Sequence, residues 1–256
     1  MLRTELAFYV GCLNLYEHLQ KFGTPTCFPR SAELDNKVSS FSGLYDACLA
    51  ISMNGKPVGN DLENAGKNLM VITGANTGGK STFLRSLGLA QLMMQAGMFV
   101  PAETFSVEVR TALFSHFKRE EDATMESGKL DEELSRMSEI VDHLRPGAMI
   151  LLNESFAATN DREGSEIATQ ITTALLERGV KVAYVTHLHQ YALGMHRKKL
   201  PDAVFLRAER RPDGTRTFRL IEAAPLQTSY GEDLYAKVFG PEDQSNEEPH
   251  QISAAE

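Results

Sequence analysis

Between residues 74 and 82 the chain reads GANTGGKST, and the spacing Gly74-x-x-x-x-Gly79-Lys80-Ser81 carries phosphate chemistry. Glycines open backbone angles closed to other residues and let successive N–H groups converge on phosphate oxygens. Lys80 offers a point charge to the β- and γ-phosphates of a nucleoside triphosphate, and the Ser81 hydroxyl is the expected Mg²⁺ ligand. The candidate nucleotide-binding segment is Gly74, Ala75, Asn76, Thr77, Gly78, Gly79, Lys80, Ser81 and Thr82. The bland alternative is a glycine-rich turn beside a solvated lysine.

Such a site needs an acidic strand end. AMILLNES at 148–155 supplies one: a continuous apolar run, the mark of a buried parallel strand, followed by Asn153 and Glu154. Chemistry in open α/β sheets collects at the carboxyl ends of the strands. Glu154 is therefore the expected general base, orienting or deprotonating the water that attacks the γ-phosphate. KVAYVTH at 181–187 ends in the same way, which puts His187 in reach as a γ-phosphate sensor. An ordinary surface acid and a structural histidine are the competing readings. The expected metal set is Ser81, Asn153 and Glu154. Asn153 stands where sites of this kind usually carry Asp; its amide oxygen accepts a hydrogen bond but brings no charge, so weaker Mg²⁺ binding or slower turnover is expected.

The elements around these residues alternate. MVITG at 70–74 reads as a buried strand running into the glycine loop, and FLRSLGLAQLMMQAG after it reads as a helix. Strand, glycine turn and helix are the context the phosphate motif requires. Ile167, Ile171, Ala174 and Leu175 recur at helical spacing after Asn160, while AVFLRAE and TFRLIEA read as a late antiparallel pair. DACLAI at 46–51 reads as a further strand. Leu2, Leu6, Val10 and Leu13 form the apolar stripe of an opening helix that ends near Phe22-Gly23. The sum is an α/β chain in three layers.

Composition narrows the partners. Of 256 residues 42% are apolar, enough for a large core, and 26 basic against 34 acidic side chains leave a charge of −8. That balance argues against a free-standing nucleic-acid module with a clustered basic footprint. No apolar run approaches the about 20 residues of a membrane span. Cys12, Cys27 and Cys48 match no metal-binding spacing and read as small buried hydrophobes of a reducing, cytoplasmic compartment.

GANTGGKST, SGKLDEEL at 127–134, LLNESFAATND at 151–161, YVTH at 184–187 and TSYGEDLYAKVFG at 228–240 occur in an order and spacing that resembles the ATPase domain of the MutS family of DNA mismatch-repair proteins. The likeness covers about residues 40–240. It implies a P-loop NTPase of the ABC type with a mostly parallel sheet, hydrolysing ATP with Mg²⁺ in a homodimer whose subunits sandwich the nucleotides. It implies that Asn76 is the asparagine of the family's phosphate loop. Ser127 and Gly128 match the signature that reaches the partner's γ-phosphate, although a helix cap is their bland reading. Val58 and Asn60 lie where the family packs a loop against adenine. Residues 1–30 then correspond to a lead-in helix and connector from the end of a lever, 31–225 to the ATPase unit, 226–240 to a helical dimerisation element and 241–256 to a disordered acidic tail. DNA would be handled by domains outside this chain, in the cytoplasm and, in a bacterium, at the nucleoid. Asn153 for Asp, and Ala158 for Gly before Thr159, mark a divergent branch. Another ABC-type ATPase is disfavoured because no LSGG-like signature precedes the acidic strand; a nucleotide-gated dimerisation module with weak hydrolysis is the other alternative.

Overall fold

The computed structural model describes residues 2–32, 39–63, 65–118, 128–228, 230 and 233. In chain order the strands are β1 (Arg30–Ser31), β2 (Ser40–Leu44), β3 (Asn60–Leu62), β4 (Leu69–Gly74), β5 (Thr104–Val107), β6 (Leu113–Phe117), β7 (Met149–Asn153), β8 (Lys181–Val185), β9 (Ala203–Arg210) and β10 (Arg216–Glu222). The helices are α1 (Leu2–Lys21), α2 (Ala47–Met53), α3 (Lys80–Gln95), α4 (Lys129–His143), α5 (Asp161–Glu177) and α6 (His189–Arg197).

A six-stranded sheet runs β10-β9-β4-β8-β7-β6, and a four-stranded sheet runs β1-β5-β2-β3. In the larger sheet β9, β4, β8, β7 and β6 pair parallel to their neighbours and β10 joins β9 antiparallel. In the smaller, β1 pairs parallel with β5 while β2 is antiparallel to β3 and β5, so both sheets are mixed.

Strand side chains alternate between faces, and the core divides accordingly. Met70 and Ile72 of β4 pack with Phe83, Leu84 and Leu87 of α3. Leu69 and Val71 pack on the other face with Ala168 and Leu175 of α5 and Tyr191 and Met195 of α6. The central strands are covered on both faces, which is why they read as unbroken apolar runs.

Three expectations change. The segment 46–51 is helical: the Asp46 carboxylate accepts from the Cys48 and Leu49 amides at the N-terminus of α2, and Asn54 closes it in the left-handed region at φ 51°. A short apolar run does not separate strand from buried helix, and here the cap decides. The opening helix forms, but Leu6, Val10 and Leu13 are exposed; its inward side is Leu19, with Leu15 and Phe22. Nor are the cysteines core residues: Cys12 and Cys27 are half-buried and Cys48 is exposed, all as free thiols.

Among the described residues no helix is long and apolar enough to cross a membrane. Ser127, most of 226–240 and all of 241–256 lie outside the described residues.

Candidate functional site

The loop from Gly74 to Gly79 joins β4 to α3. Gly74 and Gly79 adopt φ of 109° and 87°, both in the region that favours glycine. Gly78 is required for a different reason: a Cβ there would sit 2.7 Å from Ala208 Cβ and 2.9 Å from the Ala75 carbonyl. Gly79 caps α3 without a side-chain bond, and intrahelical pairing begins with the Phe83 amide on the Gly79 carbonyl. The amides before Phe83 therefore have no acceptor further back in the helix, which is the arrangement that suits an anion.

Lys80 is 5% exposed. Its Nζ donates to the carbonyls of Gly74 (3.0 Å) and Ala75 (2.8 Å). Burial lowers its pKa to about 8, with Glu154 opposing that shift and Arg216 adding to it. Ser81 Oγ donates to Asn153 Oδ1 at 2.8 Å, so the hydroxyl and the end of β7 meet directly.

Glu154 follows at once in the left-handed region, φ 54°, its amide held by the Val185 carbonyl of β8. His187 Nε2 lies 3.1 Å from Glu154 Oε1. That hydrogen bond is the largest influence on the carboxyl and holds its pKa below the usual range, against the opposing effect of burial. Glu154 is thus an ionised acceptor, better suited to orienting a water than to taking its proton.

Lys80, Ser81, Glu154 and His187 line one cavity of about 600 Å³, with the rest of residues 76–83 and with Tyr45, Leu49, Met53, Val58 and Phe218. Val58 is at its surface. Asn60 lines it too, but its amide is committed: Oδ1 accepts from the Leu220 amide (2.7 Å) and Nδ2 donates to the Phe218 carbonyl (3.4 Å). Gly128 is the N-cap of α4 and does not line this cavity.

Sequence reasoning missed Phe218 and the α2 wall. The register of β10 shifts between Arg216 and Leu220, and Phe218 sits at φ 60°, half exposed, over the glycine loop. A bulge re-aims one side chain without leaving a mark in the alternation pattern. The α2 wall was hidden by its misreading as a strand.

Among the described residues no three His, Cys, Asp or Glu side chains form a metal cluster. A hard cation here would rely on the Ser81 and Asn153 oxygens, on waters and on phosphate oxygens, which is how Mg²⁺ is usually held. The residues present fit that ion.

An α/β sheet with a glycine loop between β4 and α3, and polar strand ends gathered opposite it, is compatible with the phosphate-loop class of nucleotide-binding folds. Comparison with known sequences gives the family. The profile of MutS domain V matches residues 70–250. The DNA mismatch repair protein MutS of Thermus aquaticus is 30% identical over 187 residues, 73% of this chain and 23% of that protein. The protein of the same description from Thermotoga sp. (strain RQ2) is 31% identical over 175 residues, 68% and 22% of the respective chains. Endonuclease MutS2 of Lacticaseibacillus casei is 34% identical over 140 residues, 54% and 18%. The chain belongs to the MutS family and spans about a fifth of the length of these curated relatives.

Proposed function

We propose that this chain is an ATP-binding and ATP-hydrolysing module of a MutS-like DNA mismatch-repair protein. One observation carries the reading: Ser81 at the start of α3 bonds Asn153 at the end of β7, Glu154 pairs with His187 beyond β8, and Lys80, Ser81, Glu154 and His187 line one cavity.

The loop amides and Lys80 bind the β- and γ-phosphates. Ser81 and Asn153 would hold Mg²⁺, which would supply charge neutralisation to the phosphates. Glu154 orients the attacking water, and His187 keeps the carboxylate ionised and aimed. Phe218 and Val58 offer apolar contact to the base. The 31–225 segment acts as the ATPase unit, a partner copy brings Ser127 and Gly128 to the phosphates in trans, and residues 226–240 help the pair to form. Nucleotide state is then passed to DNA-binding parts of a longer protein, in keeping with relatives described as DNA mismatch repair proteins.

Asn153 favours a second reading, in which ATP acts mainly as a clamp and hydrolysis is weak. Particle mass with and without ATP and Mg²⁺, together with steady-state turnover as a function of protein concentration, separates the two. Nucleotide-dependent dimers with concentration-dependent turnover support the first; dimers without turnover support the second. Phosphate release by a Lys80→Ala variant at the parental rate would remove the first, and dimers that form with ATP as readily in Lys80→Ala as in the parental chain would remove the second.

A further inference from the structure

Glu154 belongs to a turn that is strained twice over. Glu154 and Phe156 both occupy the left-handed region, at φ 54° and 63°, with the fully buried Ser155 between them. Non-glycine residues stay there only where the surroundings over-determine them. Three elements do so. Ser155 Oγ donates to the His116 carbonyl of β6 (2.9 Å) and lies 2.7 Å from His116 Nδ1. Tyr184 of β8 donates its hydroxyl to the Ser155 carbonyl (2.5 Å). The Phe156 amide donates to Glu133 Oε2 at 2.9 Å.

The last contact differs from the others in its origin. Glu133 sits in α4, the helix that opens at Gly128, and is 3% exposed. Its own carbonyl receives His116 Nε2 at 3.1 Å, and the His116 ring stacks on Phe156. One residue of α4 thereby grips both the turn behind Glu154 and the histidine beneath it. A buried carboxylate is expensive, as its raised pKa reflects, and burial is the larger cause while the Phe156 amide offsets part of it. A merely structural contact between α4 and the sheet would be made more cheaply by an apolar side chain.

We infer that Glu133 is a positioning residue that couples α4 to the reactive turn, so that the setting of the helix start at Gly128 controls how the Glu154 carboxylate faces the phosphate loop. The inference rests on the proposed nucleotide site. Movement of Gly128 reaches Glu154 through the α4 backbone, the Glu133 carboxylate and the Phe156 amide. Closure of the site then becomes a condition for aiming the water.

The test uses the whole chain and its Glu133→Ala and Glu133→Gln variants. It reads ATP affinity, turnover, thermal stability and hydrogen exchange of the Phe156 amide with and without a non-hydrolysable ATP analogue. In the parental chain the analogue should slow exchange at Phe156. Glu133→Ala should lose that slowing and about tenfold in turnover while its ATP affinity changes little, since a buried amide loses a charged acceptor. Glu133→Gln keeps an acceptor oxygen and should restore both. Slowing in the parental chain without turnover would end the hydrolysis reading and leave the coupling intact. An Ala variant with parental turnover and parental slowing would overturn the coupling. So would an analogue without effect on the parental amide, or Ala and Gln variants that lose affinity, turnover and stability in parallel.

Discussion

His187 Nε2 lies 3.1 Å from Glu154 Oε1, and this contact joins the ends of two adjacent parallel strands across the mouth of the phosphate loop. The hydrogen bond holds the Glu154 carboxyl below its ordinary range. Replacing His187 with Ala should let that pKa rise, so the acid limb of the pH–turnover profile moves to higher pH. Glu154→Gln should cost about a hundredfold or more in turnover while ATP affinity survives. A His187→Ala profile with an unmoved acid limb would separate the histidine from the carboxylate.

Lys80 gives a second pH dependence of opposite sense. Burial lowers its pKa to about 8, so the cation that meets the phosphates is lost as pH rises through that value. Bound phosphates favour the charged form, and ATP affinity should therefore be about tenfold weaker at pH 9 than at pH 7. Folding responds in the other direction: the cost of a buried cation is present below about 8 and is relieved between there and the ordinary 10.5. Titrations of ATP binding and of thermal stability over this window should diverge.

Asn153 accepts the Ser81 hydroxyl at 2.8 Å with a neutral oxygen. Asn153→Asp would add a formal charge at the place where Mg²⁺ is proposed to sit. The Mg²⁺ concentration for half-maximal turnover should fall by about tenfold. An unchanged requirement would mean that the end of β7 does not face the ion.

The loop, its Lys80–Ser81 pair and the strand ends at Glu154 and His187 were legible in the sequence because each lies where an apolar run stops, and parallel strands buried on both faces leave that mark. What was not legible depends on long-range contacts. Asn60 is placed near adenine by the resemblance alone, and the sequence does not show that its amide bonds a strand 160 residues away. Leu6 and Leu13 look like a core stripe, yet they are exposed while Leu19 of the same helix is buried. Asp46 decides a helix over a strand through two backbone amides, a signal that a six-residue apolar run conceals.

Phe218 is open to a direct test. Its side chain lines the cavity beside the glycine loop, and as an apolar ring it should contact the base and not the phosphates. Phe218→Ala should weaken ATP binding by about fivefold, ~1 kcal/mol, and leave tripolyphosphate affinity unchanged. Equal losses for both ligands would instead report a distorted glycine loop, since Gly79 lies against the Phe218 backbone.

Two helix glycines should respond to alanine with opposite signs. Gly11 in α1 has no atom within 4 Å of a Cβ position, so Gly11→Ala should stabilise the chain by about 0.5–1 kcal/mol through helix propensity alone. At Gly164 in α5 the same methyl would lie 2.4 Å from the Phe156 carbonyl and 3.1 Å from Leu188 Cδ2. A backbone carbonyl cannot yield as a flexible side chain does, and this one belongs to the turn that carries Glu154. Gly164→Ala should therefore destabilise by about 1–3 kcal/mol despite the better propensity. Because the clash is relieved by displacing Phe156, turnover should fall further than stability at a temperature where the variant remains folded. Thermal denaturation of both variants beside parental, with phosphate release measured well below the transition, decides it. A Gly164→Ala protein that is stabilised like Gly11→Ala would show that the turn can move freely, and with it that the left-handed setting of Glu154 is not held by packing.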